Sequence, residues 1–148
     1  MSLSSIFNIA GTGMSAQNTR LNTISSNIAN AETVSSSLDQ TYRARHPVFA
    51  TLFQDSLGSG DRGSLFASED QSGTGVQVLG VIEDQGALTP RYEPNHPAAN
   101  AEGYVYYPNV NVVEEMADMI SASRSFQTNV EMMNTAKQMM QKVLTLGQ

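Results

Sequence analysis

Apolar residues recur every seven positions at the start of the chain, at Phe7, Met14, Leu21 and Ile28. A second row follows three residues behind them, at Ala10, Gln17, Ile24 and Ala31, and Leu3 stands four residues ahead of Phe7. Rows three and four apart share one side of an α-helix and form a seam suited to a second helix, with Gln17 its one polar position. The spacing predicts a helix from residue 3 to residue 31, ~43 Å long at 1.5 Å per residue.

The end of the chain repeats the pattern. Val112, Met119, Phe126, Met133 and Met140 are spaced by seven, and Met116, Ser123, Val130, Lys137 and Leu144 follow four residues behind. Asn111 and Glu114 form a variant of the capping box, with Asn in place of Ser or Thr. Glu114, Glu115 and Asp118 in the first turns and Lys137 and Lys142 near the end complement the helix dipole.

Between these ends lie all five prolines, from Pro47 to Pro108, and most of the glycines. That excludes a continuous helix there. Val76–Ile82 is the best strand, Tyr104–Tyr107 a second, and Tyr42–Phe53 holds a third, interrupted at Pro47. Residues 54–75 are dominated by Gly, Ser, Asp, Glu and Gln and read as a long loop. The expected fold is α+β. N- and C-terminal coiled-coil helices, residues 1–33 and 110–148, pack together as a core domain, and residues 34–109 form a β-rich irregular middle domain.

Composition narrows the function. The 148 residues carry a net charge of −6, which argues against a sequence-independent nucleic-acid binder. The absence of cysteine excludes disulfides, thiol catalysis and cysteine-ligated metals. No apolar run approaches the ~18 residues of a membrane span, and the first residues lack the basic and continuous apolar regions of a secretory signal peptide. His46 and His96 each precede a proline and read as structural. The carboxylate pairs Glu69-Asp70 and Glu83-Asp84 do not make a catalytic couple, because adjacent residues on a strand point to opposite faces and the first pair falls in the loop. No nucleophile elbow, P-loop or HExxH is present. An enzyme is not expected, and neither is a cofactor or a metal.

The first helix is unusual. Arg20 is its only charged residue before Glu32, and its polar positions are mainly Ser, Asn, Thr and Gln. Such residues compete with the backbone and weaken an isolated helix, as do Gly11 and Gly13. A weak helix with a well-marked seam is expected to be largely disordered in the free monomer over residues 1–33 and to order on assembly, its neutral face against other chains or a confined aqueous surface. A self-contained two-helix coil in a soluble monomer meets the periodicity equally well.

Ser26-Asn27-Ile28-Ala29-Asn30-Ala31-Glu32-Thr33 resembles the S-N-x-A-N-A-x-T signature that ends the N-terminal helix of bacterial flagellar axial proteins, the rod, hook and hook-associated family. Asn109-Val110-Asn111-Val112-Val113-Glu114-Glu115-Met116, Ala122-Ser123-Arg124-Ser125-Phe126 and Thr145-Leu146-Gly147-Gln148 are similar to the C-terminal half of its proximal rod members. Tyr42-Arg43-Ala44, Pro47-Val48-Phe49, Tyr92-Glu93-Pro94-Asn95-His96-Pro97, Gly103-Tyr104-Val105 and Tyr107-Pro108 fit the same members, while the stretch 54–75 departs from their pattern.

The resemblance implies a structural protein. It would leave the cell through the flagellar type III export apparatus without a cleaved signal and polymerise in the periplasm. There it would build the rod of the basal body, the drive shaft that joins the rotor (MS) ring and its rod adaptor to the hook. Terminal helices would form the inner core around the export channel, and the β-rich middle an outer layer. Partners would be other copies of the chain and other rod proteins. The assembly residues would be Phe7, Met14, Leu21, Ile24 and Ile28 of the first seam, with Val112, Met116, Met119, Phe126, Val130, Met133, Met140 and Leu144 of the second. Asn27, Asn30 and Thr33 carry the signature, and either local capping or bonds between subunits would explain them. Arg124 would be either a solvated charge or one half of a salt bridge between subunits. The competing assignments are another flagellar axial subunit, or a soluble coiled-coil adaptor or export chaperone.

Overall fold

No proline interrupts the first 46 residues, and Leu3–Asn30 is one helix, α1. It ends where the backbone tightens. Ala31 N–H donates to the Ile28 carbonyl at 3.2 Å and Thr33 N–H to the Asn30 carbonyl at 3.1 Å, which satisfies two of the carbonyls a helix end leaves open. The second helix, α2, runs from Val112 to Leu146. Asn111 caps it: its Oδ1 accepts the Val113 N–H at 3.2 Å and its carbonyl accepts the Glu115 N–H at 3.0 Å. The computed structural model describes residues 3–53 and 73–146, so most of the expected 54–75 loop lies outside the described residues.

The helices pack against each other and run antiparallel. Ile6 shares a cleft with Ala136 and Met139. Gly13 lies against Asn129, where an added Cβ would stand 3.0 Å from Nδ2. Asn27 bonds Glu115 at 2.8 Å. These contacts step by seven along both helices. The face that α2 turns to α1 is therefore the series Glu115, Ala122, Asn129 and Ala136, and among these Glu115, Ala122 and Ala136 are buried. This corrects the expected second row of α2. The pairing side lies three residues behind Met119, Phe126 and Met133, not four. Met116 and Leu144 are accordingly 56 % and 67 % exposed, and Val112 and Met140 are also exposed. On α1 the row of Ala10 and Ile24 is buried as its spacing predicts, and Phe7, Met14, Leu21 and Ile28 are half-buried along the edge of the pair.

The middle forms two separate antiparallel ribbons. β1 (Arg45–Phe53) pairs with β2 (Gly73–Glu83), and β3 (Thr89–Tyr92) pairs with β4 (Tyr104–Tyr107). β1 continues through Pro47, which stands opposite Val81. Each strand of a two-stranded ribbon has an open edge, and there a proline costs no ladder bond. The pairing shifts after Val48, leaving Leu79 as the extra residue of a bulge. β3 was not foreseen, since Thr-Pro-Arg-Tyr is short, contains proline and is exposed throughout. Its turn depends on Gly103, whose φ of +81° is left-handed and whose Cβ position lies 2.8 Å from the Tyr92 ring.

The β1–β2 ribbon packs on α1. Thr12 Oγ donates to the Ile9 carbonyl at 3.0 Å and accepts the Val76 N–H at 3.2 Å. A Cβ on Gly75 would stand 2.5 Å from that hydroxyl, so only glycine lets the ribbon approach. Thr12, Ala16, Thr19, Thr23 and Ser26 follow four- and three-residue steps along this side of α1, and Ala16 and Thr23 are buried. Part of the uncharged face of α1 is thus taken up inside the chain, because small hydroxyl side chains let a β-ribbon lie close. Gly11, by contrast, has open space around its Cβ position. Gly11→Ala should raise stability by about 1 kcal/mol through helix propensity alone. Thermal unfolding of the purified chain checks it, and an unchanged or lowered midpoint would show that Gly11 is not in a free helical position.

Candidate assembly surface

Asn27 is 0 % exposed, and its amide uses every bond it can make. Nδ2 donates to the Arg45 carbonyl at 2.9 Å and to Glu115 Oε1 at 2.8 Å. Oδ1 accepts the Arg45 N–H and the Tyr42 hydroxyl, each at 2.9 Å. One side chain therefore fastens α1 to the first residue of β1, to the segment before it and to the first turn of α2. Asparagine is the small residue that offers two donors and two acceptor lone pairs in one plane. The neighbouring backbone is held from the other side, where Ala44 N–H donates to Asn109 Oδ1 at 2.9 Å and the Ala44 carbonyl accepts the Asp84 N–H at 2.8 Å.

The other signature residues bond locally. Asn30 Nδ2 donates to the Ser26 carbonyl at 2.8 Å, and Thr33 Oγ donates to the Asn30 carbonyl at 2.6 Å. His96 Nδ1 accepts the Ala98 N–H at 3.1 Å, a turn contact. Arg20, the lone charge of α1, pairs with Asp118 at 2.9 Å across the two helices. Both side chains retain solvent contact, so the pair adds roughly 0–1 kcal/mol. Arg124 is exposed and makes no ion pair among the described residues.

Apart from the buried Ile24, the large apolar side chains of the helices lie around this framework and not at its centre. Small residues occupy the line between the helices, while Met119, Phe126, Val130 and Met133 on α2 are half-buried, like Phe7, Met14, Leu21 and Ile28 on α1. The outer side of α2 exposes Val113 at 77 %, Met116 at 56 % and Ile120 at 57 %. The outward stripe of α1 is Asn8, Ser15, Asn18, Asn22, Ser25 and Ala29, with no charge. Exposed and half-buried apolar rows thus run along both long helices.

The sequence does not mark Glu115, Ala122, Asn129 and Ala136 as the side of α2 that faces α1. Their signal was present as an unbroken seven-residue series, but Met116 and Val130 made the neighbouring row look more apolar. Among the described residues no group of His, Cys, Asp and Glu has the makings of a metal site. None of the described helices is long and apolar enough to cross a membrane.

Comparison with known proteins places these features in one lineage. The family model "Flagella basal body rod protein" matches residues 7–34, which covers most of α1 and its signature. The model "Flagellar basal body rod FlgEFG protein C-terminal" matches residues 101–146, from before β4 to the end of α2. The flagellar basal-body rod protein FlgC of Salmonella typhimurium is 46 % identical over 148 residues, covering 100 % of both chains. That of Yersinia enterocolitica is 45 % identical with the same coverage. That of Borreliella burgdorferi is 37 % identical over 152 residues, covering 100 % of this chain and 99 % of the relative. With matches of this identity running through both helices and both ribbons, the chain belongs to the FlgC family of flagellar basal-body rod proteins.

Proposed function

We propose that the chain is a structural subunit of the proximal rod, which assembles through its terminal helices into the shaft that carries torque from the rotor ring to the hook. The observation that carries this reading is the end-to-end match with FlgC proteins at 46 % identity. The geometry supports it. Apart from Ile24, both helices keep their large apolar residues at the edge of the pair or in solvent, where a neighbour can cover them.

In this reading α1 and α2, within residues 1–33 and 110–148, act as a coiled-coil inner layer around the export channel, and residues 34–109 form the outer layer. The uncharged stripe of α1 suits a neighbour or a confined aqueous channel. Partners are other copies, other rod proteins, the MS ring with its adaptor and, in transit, the export apparatus. The site is the periplasmic part of the basal body. The role is structural, with no catalytic step.

Phe126→Ala separates an assembly role from a core role. Truncation of a fully buried Phe costs about 3–5 kcal/mol. Phe126 is only half-buried in the single chain, so the monomer should lose less than that, while cells carrying the variant as their only copy should export it and fail to swim. Normal swimming, with the variant in purified basal bodies, would remove Phe126 from the assembly surface. Normal swimming after deletion of the whole gene would end the rod-subunit reading.

A further inference from the structure

The chain crosses between the helix pair and the ribbons twice. Residues 31–44 lead from α1 into β1, and residues 108–111 lead from β4 into α2. A single strand turns about two soft dihedrals per residue, so two bare crossings would let the ribbons swivel against the helices. The β1–β2 ribbon also rests on α1, but that face is made of small side chains such as Thr12, Ala16 and Gly75, which interlock little.

The crossings are not bare. Ser35 and Tyr106 exchange two backbone bonds, at 3.0 and 3.2 Å. Nearer the helices, Ala44 N–H donates to Asn109 Oδ1 at 2.9 Å, which ties the first crossing to the second through a side chain. Ala44 is 3 % exposed, so water does not compete for that bond. The next residue, Arg45, has its N–H and its carbonyl held by Asn27. The segment that leaves β2 is fastened at the same place: Asp84 N–H donates to the Ala44 carbonyl at 2.8 Å, and Arg43 donates to the Gly86 carbonyl at 3.1 Å. Asn109 Nδ2 lies against Gly86, where an added Cβ would stand 3.1 Å away, so the amide has little room to turn. The backbone of Ala44 and Arg45 is thus gripped from α1 by one asparagine and from the start of α2 by another.

We propose that Asn27 and Asn109 form the joint through which torque passes between the helices and the ribbons, with Asn109 the positioning residue that locks the second crossing to the first. Both grip backbone atoms, so the joint does not depend on which side chains the first crossing carries. The two differ in what else they do. Asn27 fastens three elements and its loss undermines the fold, whereas Asn109 contributes a single bond to the frame. Asn109 is therefore where the transfer of torque can be separated from folding. The proposal deepens the rod reading and rests on it.

Cells carrying Asn109→Ala as their only copy should assemble basal bodies and swim near wild type in dilute medium. In viscous medium, where the motor delivers more torque, they should shed hooks with broken rods about fivefold more often than wild type, the change in a breaking rate expected from one lost hydrogen bond. An ionophore that stops the motors should remove the excess. Thr41→Ala is the control. It removes a bond of the same kind that stays within the first crossing, from Thr41 Oγ to the Ser37 carbonyl at 2.7 Å, and it should shed no more than wild type.

Shedding that persists with stopped motors, or that Thr41→Ala equals, would overturn the joint, because a general loss of stability does not follow torque. Wild-type shedding from basal bodies that contain Asn109→Ala would overturn it too, and so would exclusion of the variant from basal bodies that accept the wild-type chain. Each of these leaves the rod reading intact. Basal bodies that lack even the wild-type chain would overturn both.

Discussion

Asn27→Leu is expected to destabilise the folded chain by about 3–5 kcal/mol, the largest loss from any single polar residue. Leucine matches asparagine in heavy-atom count and branching but is bulkier, so no cavity opens and the cost comes from lost bonds with some overpacking. The change strands the Arg45 N–H and carbonyl and the Glu115 carboxylate, and it leaves the Tyr42 hydroxyl with Ser26 Oγ at 3.3 Å. A buried polar group left without a partner costs about 1–3 kcal/mol, and more when it is charged. For a chain of this size the loss corresponds to a fall of about 6 °C or more in the unfolding midpoint. Asn30→Ala and Thr33→Ala each remove one bond near the surface and should cost about 1 kcal/mol or less. Urea unfolding of the three variants checks the order. A loss at Asn27 no greater than at Asn30 would show that Asn27 is not the fastener between α1, β1 and α2.

Ala122→Leu should have the second largest effect. Ala122 is 0 % exposed, on the α2 face that packs against α1. Three added carbons force the helices apart, at about 1–3 kcal/mol in the single chain. In a polymer the same displacement moves every outer row, so swimming should be lost even where the monomer still folds. Ala117→Leu is the control. Ala117 is exposed on α2, and a surface change of this kind stays within about 0.5 kcal/mol. Swimming by Ala122→Leu cells with normal basal bodies would mean that the helices are spaced differently in the rod.

The elements that could be read from sequence are those whose pattern has one physical cause. α1 and the start of α2 were marked by seven-residue rows and by the Asn111 cap. β2 and β4 were marked by runs of Val, Ile and Tyr. The seam of α2 was misplaced because two demands share one helix. Its inner face is built from Ala122, Asn129 and Ala136, small enough for close approach, and its outer faces carry Val113, Met116 and Ile120. Apolar periodicity assumes that the most apolar side is the inner one, and here it is not.

The partners of Asn27 were hidden for another reason. Tyr42, Arg45 and Glu115 are distant in sequence and carry no shared motif, so only the fold brings them to one amide. β3 has no periodic signal to find. The predictions at Gly11, Asn27 and Ala122 take α1 as folded on α2 in the free chain; unfolding midpoints that none of these variants moves would instead match the expectation that residues 1–33 order only on assembly.

If this chain builds the rod with its helices inward and its ribbons outward, cryo-electron microscopy of basal bodies purified from the native cells will show density for it between the MS ring and the distal rod, with α1 and α2 forming the inner wall around the channel, Phe126 and Met133 covered by neighbouring subunits, and β1–β4 outside. A rod without this chain, or one in which the ribbons line the channel and the apolar rows of both helices face solvent, would contradict it.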